Sequence, residues 1–120
     1  MLRIWYSKHG TVHSLMLKGH AGYDEHGKDI VCAGASAIVY ALLGWLENNA
    51  PDHGRICGSI EPGDTWLRCE GGEKTAVAFE IAYIGLGQIA KRYPEFVKLE
   101  SAELCRSTAG ILRCAQNDSV

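Results

Sequence analysis

The chain has few of the features that mark a specialised architecture. Only three of its 120 residues are proline, so it holds no polyproline segment or Pro-rich linker. An excess of one charge is also missing. The formal net charge of −2 gives no positive field to gather a nucleic-acid backbone. The opening residues, Met1-Leu2-Arg3-Ile4-Trp5-Tyr6, have neither an apolar signal core nor a small-residue cleavage site. The longest weakly polar stretch, Ile30 to Leu46, stops short of about 20 apolar positions and reads as a core helix instead of a membrane span. Neither C-x-x-C nor H-x-x-x-H at helical register occurs, since His9 and His13 fall across a turn and a strand. Gly71-Gly72 lacks the rest of any phosphate-binding loop. The expectation is a soluble cytoplasmic protein with no metal, no cofactor, no direct nucleic-acid partner and no membrane.

What is present is ordinary in proportion. Apolar residues make up 47% and charged residues 22%, which suits one packed domain and excludes a disordered chain. Five cysteines is an odd count, which argues against a disulfide framework and for free thiols in a reducing compartment.

Leu2–Tyr6 and Thr11–Lys18 are rich in β-branched and aromatic residues and flank Gly10, so they predict a hairpin. The segment from Gly19 to Lys28, with Gly22 and Gly27, predicts a mobile loop. Asp29 then caps a helix whose apolar spacing runs through Val31, Ala35, Ile38, Leu42, Trp45 and Leu46, and Asn48-Asn49-Ala50-Pro51 ends it. Arg55–Ile60 and Thr65–Glu70 flank the turn Glu61-Pro62-Gly63-Asp64 and predict a second hairpin. Val77, Ile81, Ile84, Leu86 and Ile89 mark a second helix that ends before Pro94, with Gly85 and Gly87 implying close packing against a neighbour. Phe96–Glu100 closes the pattern as a short strand. The order is ββαββαβ: one α+β domain over residues 1–100, with a mainly antiparallel sheet packed against two helices. Residues 101–120 read as a poorly ordered tail. Trp5, Trp45 and Trp66 read as core aromatics, and so do the strand thiols Cys57 and Cys69 as buried groups; Cys105 and Cys114 fall in the tail.

Cys32 stands apart. It falls in the first turn after Asp29, where unpaired N–H groups and the positive end of the helix dipole favour a thiolate and can hold an oxyanion. The Asp29 charge opposes that effect. The small run Ala33-Gly34-Ala35-Ser36-Ala37 leaves room for a peptide beside the sulfur. His20, in Gly19-His20-Ala21, begins the glycine-rich loop that leads back to Cys32, and a histidine is the usual proton acceptor for a nucleophilic thiol. Most single cysteines on helices are simply core residues, so spacing alone does not decide the matter.

The motifs G-H-A at Gly19-His20-Ala21 and D-x-V-C-A-x-x-S from Asp29 to Ser36, separated by a loop of this length, resemble those of the ribosomal-processing cysteine proteases (Prp). The similarity runs from Met1 to about Leu99. It implies a catalytic dyad at Cys32 and His20, supporting roles for Asp29 and Ser36, and a flexible active-site loop containing Gly19, Ala21, Gly22 and Gly27. It further implies a homodimer whose substrate is the N-terminal extension of the large-subunit ribosomal protein L twenty-seven. The competing expectations are a non-catalytic ribosome-associated module that grips the same extended peptide, and a structural domain with buried thiols.

Overall fold

The computed structural model describes residues 1–25, 27–49 and 53–100. The expected tail, with Cys105 and Cys114, and the helix-ending Ala50-Pro51 lie outside the described residues. Seven elements follow one another: β1 (Leu2–His9), β2 (Val12–Lys18), α1 (Ile30–Asn48), β3 (His53–Glu61), β4 (Asp64–Gly71), α2 (Glu73–Arg92) and β5 (Val97–Leu99). The expected ββαββαβ order is the observed one.

The strands form a single sheet in the order β3-β4-β2-β1-β5. All pairs are antiparallel except β1 with β5, where Leu2 lies opposite Val97 and Ile4 opposite Leu99. The first hairpin is tighter than its sequence suggests. Ser7, Lys8 and His9 continue β1 opposite Ser14, His13 and Val12, which leaves a two-residue turn at Gly10-Thr11. Cross-strand pairing overrides the weak strand preference of those polar residues.

Period-two alternation divides the sheet into two faces. Leu2, Ile4, Leu15, Leu17, Leu67, Cys69 and Val97 point into the core, where they meet Val31, Ala35, Val39, Leu42 and Leu46 of α1 and Phe79, Ala82 and Leu86 of α2. Phe79 is fully buried, and burial of such a ring contributes about 2–3 kcal/mol relative to exposure. Trp45 packs against this core as expected. Trp5 and Trp66 correct the expectation. Both lie opposite Met16, half-buried on the other face of the sheet, because their parity along the strands is odd relative to Ile4 and Leu67.

The helical period of α2 was legible, but its inward stripe was not. Thr75, Phe79, Ala82 and Leu86 are buried, whereas Val77, Ile81 and Ile84 form an exposed apolar stripe. Two apolar stripes on one helix carry the same period, so periodicity could not choose between them. Gly85 fits the expectation of close packing, since a Cβ there would come within 3.1 Å of Ile38 Cδ1 on α1. The 19-residue α1 is longer than the apolar run suggested and passes as a membrane span by length and composition. Here it carries a buried stripe against the sheet and α2, as a core helix does.

Two thiols among the described residues are free, Cys32 and Cys69. Cys57 is buried as expected but disulfide-bonded, which corrects the reading of all five cysteines as free. Burial, helped by the charge of Glu70, pushes the Cys69 thiol up to about 11.

Near the start of β2, His13 is buried between aromatic rings. Its Nδ1 is 3.0 Å from the Tyr6 hydroxyl, and its ring stacks on Phe79 with a centroid separation of 5.3 Å. Burial, followed by the charge of Lys8, lowers its pKa below the ordinary 6.5. The unfolded chain therefore binds a proton at higher pH than the folded one. Stability is full above that ordinary value and is lost as pH falls from it toward the lowered folded value. Thermal melts are expected to show a midpoint that drops between pH 7 and pH 5, and His13→Gln is expected to flatten the decline.

Candidate active site

The last residues of β2, the following loop, the start of α1 and the β3–β4 turn converge on one cleft of about 560 Å³. His20, Asp29, Cys32 and Ser36 all line it, as do Gly19, Gly22 and Gly27 of the loop. Ala21 is buried beneath, 3% exposed. The sequence motifs thus meet in space.

The helix start explains how. Asp29 takes an extended backbone conformation, and its Oδ1 accepts 3.0 Å bonds from the N–H groups of Val31 and Cys32. Its Oδ2 accepts from the Tyr23 N–H, also at 3.0 Å. One carboxylate therefore caps α1 and ties the loop to it. Burial raises the Asp29 carboxyl, but bonds from the N–H groups of Cys32, Tyr23, Asp24 and Val31 outweigh it and hold it below its usual range. Among the described residues these bonds all go to backbone, and none goes to His20.

Cys32 is half-buried, and its Sγ accepts a 3.4 Å hydrogen bond from the Ala21 N–H. The histidine motif thereby touches the sulfur through its own backbone. The first-turn N–H groups of Val31 and Cys32 are already occupied by Asp29, and that of Ala33 by the Asp29 carbonyl. This corrects the idea that they stand open for an oxyanion. Among the described residues, the N–H that bonds the sulfur is that of Ala21.

One turn further, Ser36 is exposed on the same face of α1, and Tyr40 follows one turn after it. Positions 29, 32, 36 and 40 form a helical stripe. Tyr40 was missed, although its spacing from Ser36 was the available signal. The loop is also less free than its glycines suggested. Gly19 and Gly27 both have φ of 88°, a left-handed conformation that suits glycine. Tyr23, however, sets its ring edge-on against Tyr93 and Phe96, at 5.4 and 5.3 Å. Lys28 N–H closes a turn on the Glu25 carbonyl.

The opposite wall is the β3–β4 turn, Ile60 to Thr65, which sequence reading treated only as a hairpin connection. Asp64 on this wall is paired with Lys18. Among the described residues, no group of three or more His, Cys, Asp or Glu side chains could hold a metal ion.

The family model described as cysteine protease Prp matches residues 1–98. The chain belongs to the cysteine protease Prp family. It is therefore a cysteine protease. Among curated members, the ribosomal processing cysteine protease Prp of Mycoplasma genitalium is 34% identical over 84 residues, 69% of this chain and 82% of that protein. Prp of Mycoplasma pneumoniae is 31% identical over 91 residues, 73% of this chain and 86% of that protein. The fold matches that of S. aureus Prp, solved with a covalently linked product peptide, at a TM-score of 0.69 and 21% identity, covering 84% of this chain and 99% of that one. The structure of SMU.848 from Streptococcus mutans matches at a TM-score of 0.63 and 28% identity, covering 84% and 93%. Membership of the Prp family confirms the resemblance drawn from Gly19-His20-Ala21 and the Asp29–Ser36 motif.

Proposed function

We propose that the protein is a ribosomal-processing endopeptidase that works through a Cys32–His20 dyad and removes the N-terminal extension of ribosomal protein L twenty-seven. The convergence of His20, Asp29, Cys32 and Ser36 on one open cleft carries this reading. The names of its Mycoplasma relatives as ribosomal processing proteases support the substrate class.

In this mechanism the Cys32 sulfur attacks the scissile carbonyl carbon after His20 has taken the thiol proton. The carbonyl oxygen gains the electron pair of the broken π bond, and the Ala21 N–H, which bonds the sulfur in the resting site, exchanges that partner for the oxyanion. Collapse expels the amine, which takes the proton from His20 and leaves a thioester on Cys32. Water, activated by His20, then hydrolyses the thioester and regenerates the thiol. Asp29 holds the nucleophile's helix and the loop in one register, Ser36 presents its hydroxyl along the same face, and closure of the glycine-rich loop excludes water.

The direct test incubates the protein with a peptide carrying its own host's ribosomal N-terminal extension. Cleavage within the extension is expected. Tight binding without cleavage would replace this reading with the peptide-binding module.

Homodimerisation belongs to the same proposal. Val77 and Ile81 of the exposed stripe, with Ile81 65% exposed, line a groove between the helices together with Ile38, Ala41 and Trp45, and Ile84 is exposed nearby on α2. Such a patch on a small domain favours burial against a second copy. Sedimentation is expected to give twice the 13.1 kDa chain mass, and Ile81→Glu to shift it to the monomer value.

A further inference from the structure

We infer that Gly63, in the β3–β4 turn, is a positioning residue that seats the His20 imidazole, an inference that rests on reading His20 as the proton acceptor of Cys32. Two contacts come from this one residue. Its carbonyl accepts a 2.9 Å hydrogen bond from the N–H of Gly19, which fixes the backbone just before His20. Its bare Cα leaves the space in which the imidazole lies. A Cβ at position 63 would stand 2.8 Å from His20 Nε2, 3.2 Å from Cε1 and 3.5 Å from Cδ2. The first of these is closer than real Cβ contacts come, so any side chain at this position displaces the ring.

A left-handed backbone does not by itself account for this geometry. Gly10, in the equivalent turn of the first hairpin, has φ of 61° and Gly63 has φ of 73°, yet a Cβ on Gly10 would meet nothing within 4 Å. The two turns share the conformational demand and differ in the histidine. Because proton transfer needs hydrogen-bond distance, a shift of several tenths of an ångström in the ring acts on the chemistry. The β3–β4 hairpin therefore acts as a gauge for the His20 position, although it supplies no group to the reaction.

The test compares the wild-type protein with Gly63→Ala, Gly63→Asn, Gly10→Ala and His20→Ala. The readout is the rate of Cys32 alkylation by iodoacetamide against pH, followed by peptide mass spectrometry with Cys69 as internal reference. It needs no peptide substrate. His20→Ala is expected to change the shape of the profile. Gly63→Ala is expected to displace it toward that of His20→Ala, with the rate near pH 7 falling about tenfold. Gly10→Ala, which carries the same backbone strain, is expected to superimpose on wild type while losing as much thermal stability as Gly63→Ala. Asparagine tolerates the left-handed region but brings the same Cβ, so Gly63→Asn is expected to behave as Gly63→Ala does. A wild-type profile in either Gly63 variant would overturn the seat. If His20→Ala itself leaves the profile unchanged, the dyad fails and the seat loses its function, a result distinct from the first.

Discussion

Cys32→Ala is expected to lower kcat for cleavage of the ribosomal extension peptide by at least about 10⁴-fold, with KM within a few-fold of wild type. The prediction follows from position. Cys32 lines the cleft, half-buried, with the Ala21 N–H 3.4 Å from its sulfur and no large side chain in the run Ala33-Gly34-Ala35 that follows it. In the proposed mechanism, removing the sulfur takes away the atom that forms the covalent intermediate and leaves the rest of the cleft in place. His20→Ala is expected to cost less, about 10²–10⁴-fold, because a base can be partly replaced by water. Combining the two is expected to add nothing beyond Cys32→Ala, since both act in one step. Stopped-time mass spectrometry of the peptide checks all three. Cleavage that survives Cys32→Ala would end the assignment of that thiol.

The second large effect concerns Asp29, and two substitutions separate its two tasks. Asp29→Ala removes the cap on Val31 and Cys32 and the tether on Tyr23 together. It is expected to cost about 0.5–2 kcal/mol of stability, the usual range for losing an N-cap. It is also expected to lower kcat about a hundredfold, because the loop and the first turn no longer share a register. Asp29→Asn keeps a side-chain oxygen for the cap but offers an NH₂ group to the Tyr23 N–H, where donor meets donor. Stability is expected to stay within about 0.5 kcal/mol of wild type, since asparagine caps as well as aspartate. Activity is still expected to fall. Chemical denaturation alongside peptide kinetics measures both quantities, and a loss of activity that tracks the loss of stability across the two variants would remove the tether from the account.

The sequence carried the skeleton of this protein better than its surfaces. Element order was readable because glycine and proline sit at the breaks: Gly10, the Gly19–Lys28 loop, Pro62-Gly63 and Pro94. The Asp29 cap was readable because that chemistry is local, settled within three residues. What depended on facing was harder. Val77 and Ile81 have the same spacing as a buried stripe, and only packing against the sheet chose Phe79 and Ala82 over them. Trp5 and Trp66 share strands with core residues and differ by one position of parity. The site shows the same division. His20 and Cys32 were legible as a motif, whereas the Gly63 wall lies far along the chain and reaches them only through the β2–β4 pairing, in which Lys18 stands opposite Asp64. The Ala21 N–H bears on the sulfur through backbone geometry, which side-chain identity does not encode.

The placement of Met1 has a practical bearing. The Met1 carbonyl lies 2.5 Å from where a Cβ on Gly19 would be, and Leu2 forms part of the cleft wall. Residues appended ahead of Met1 would therefore start close to Gly19 at the edge of the cleft, and are expected to compete with added peptide for space there. An affinity tag placed there is expected to raise the apparent KM for added peptide. Residue 100, by contrast, follows β5 on the edge of the sheet, where the Glu100 N–H bonds the Ile4 carbonyl. Among the described residues, the end at Glu100 therefore lies outside the cleft lining, whereas the amino end does not.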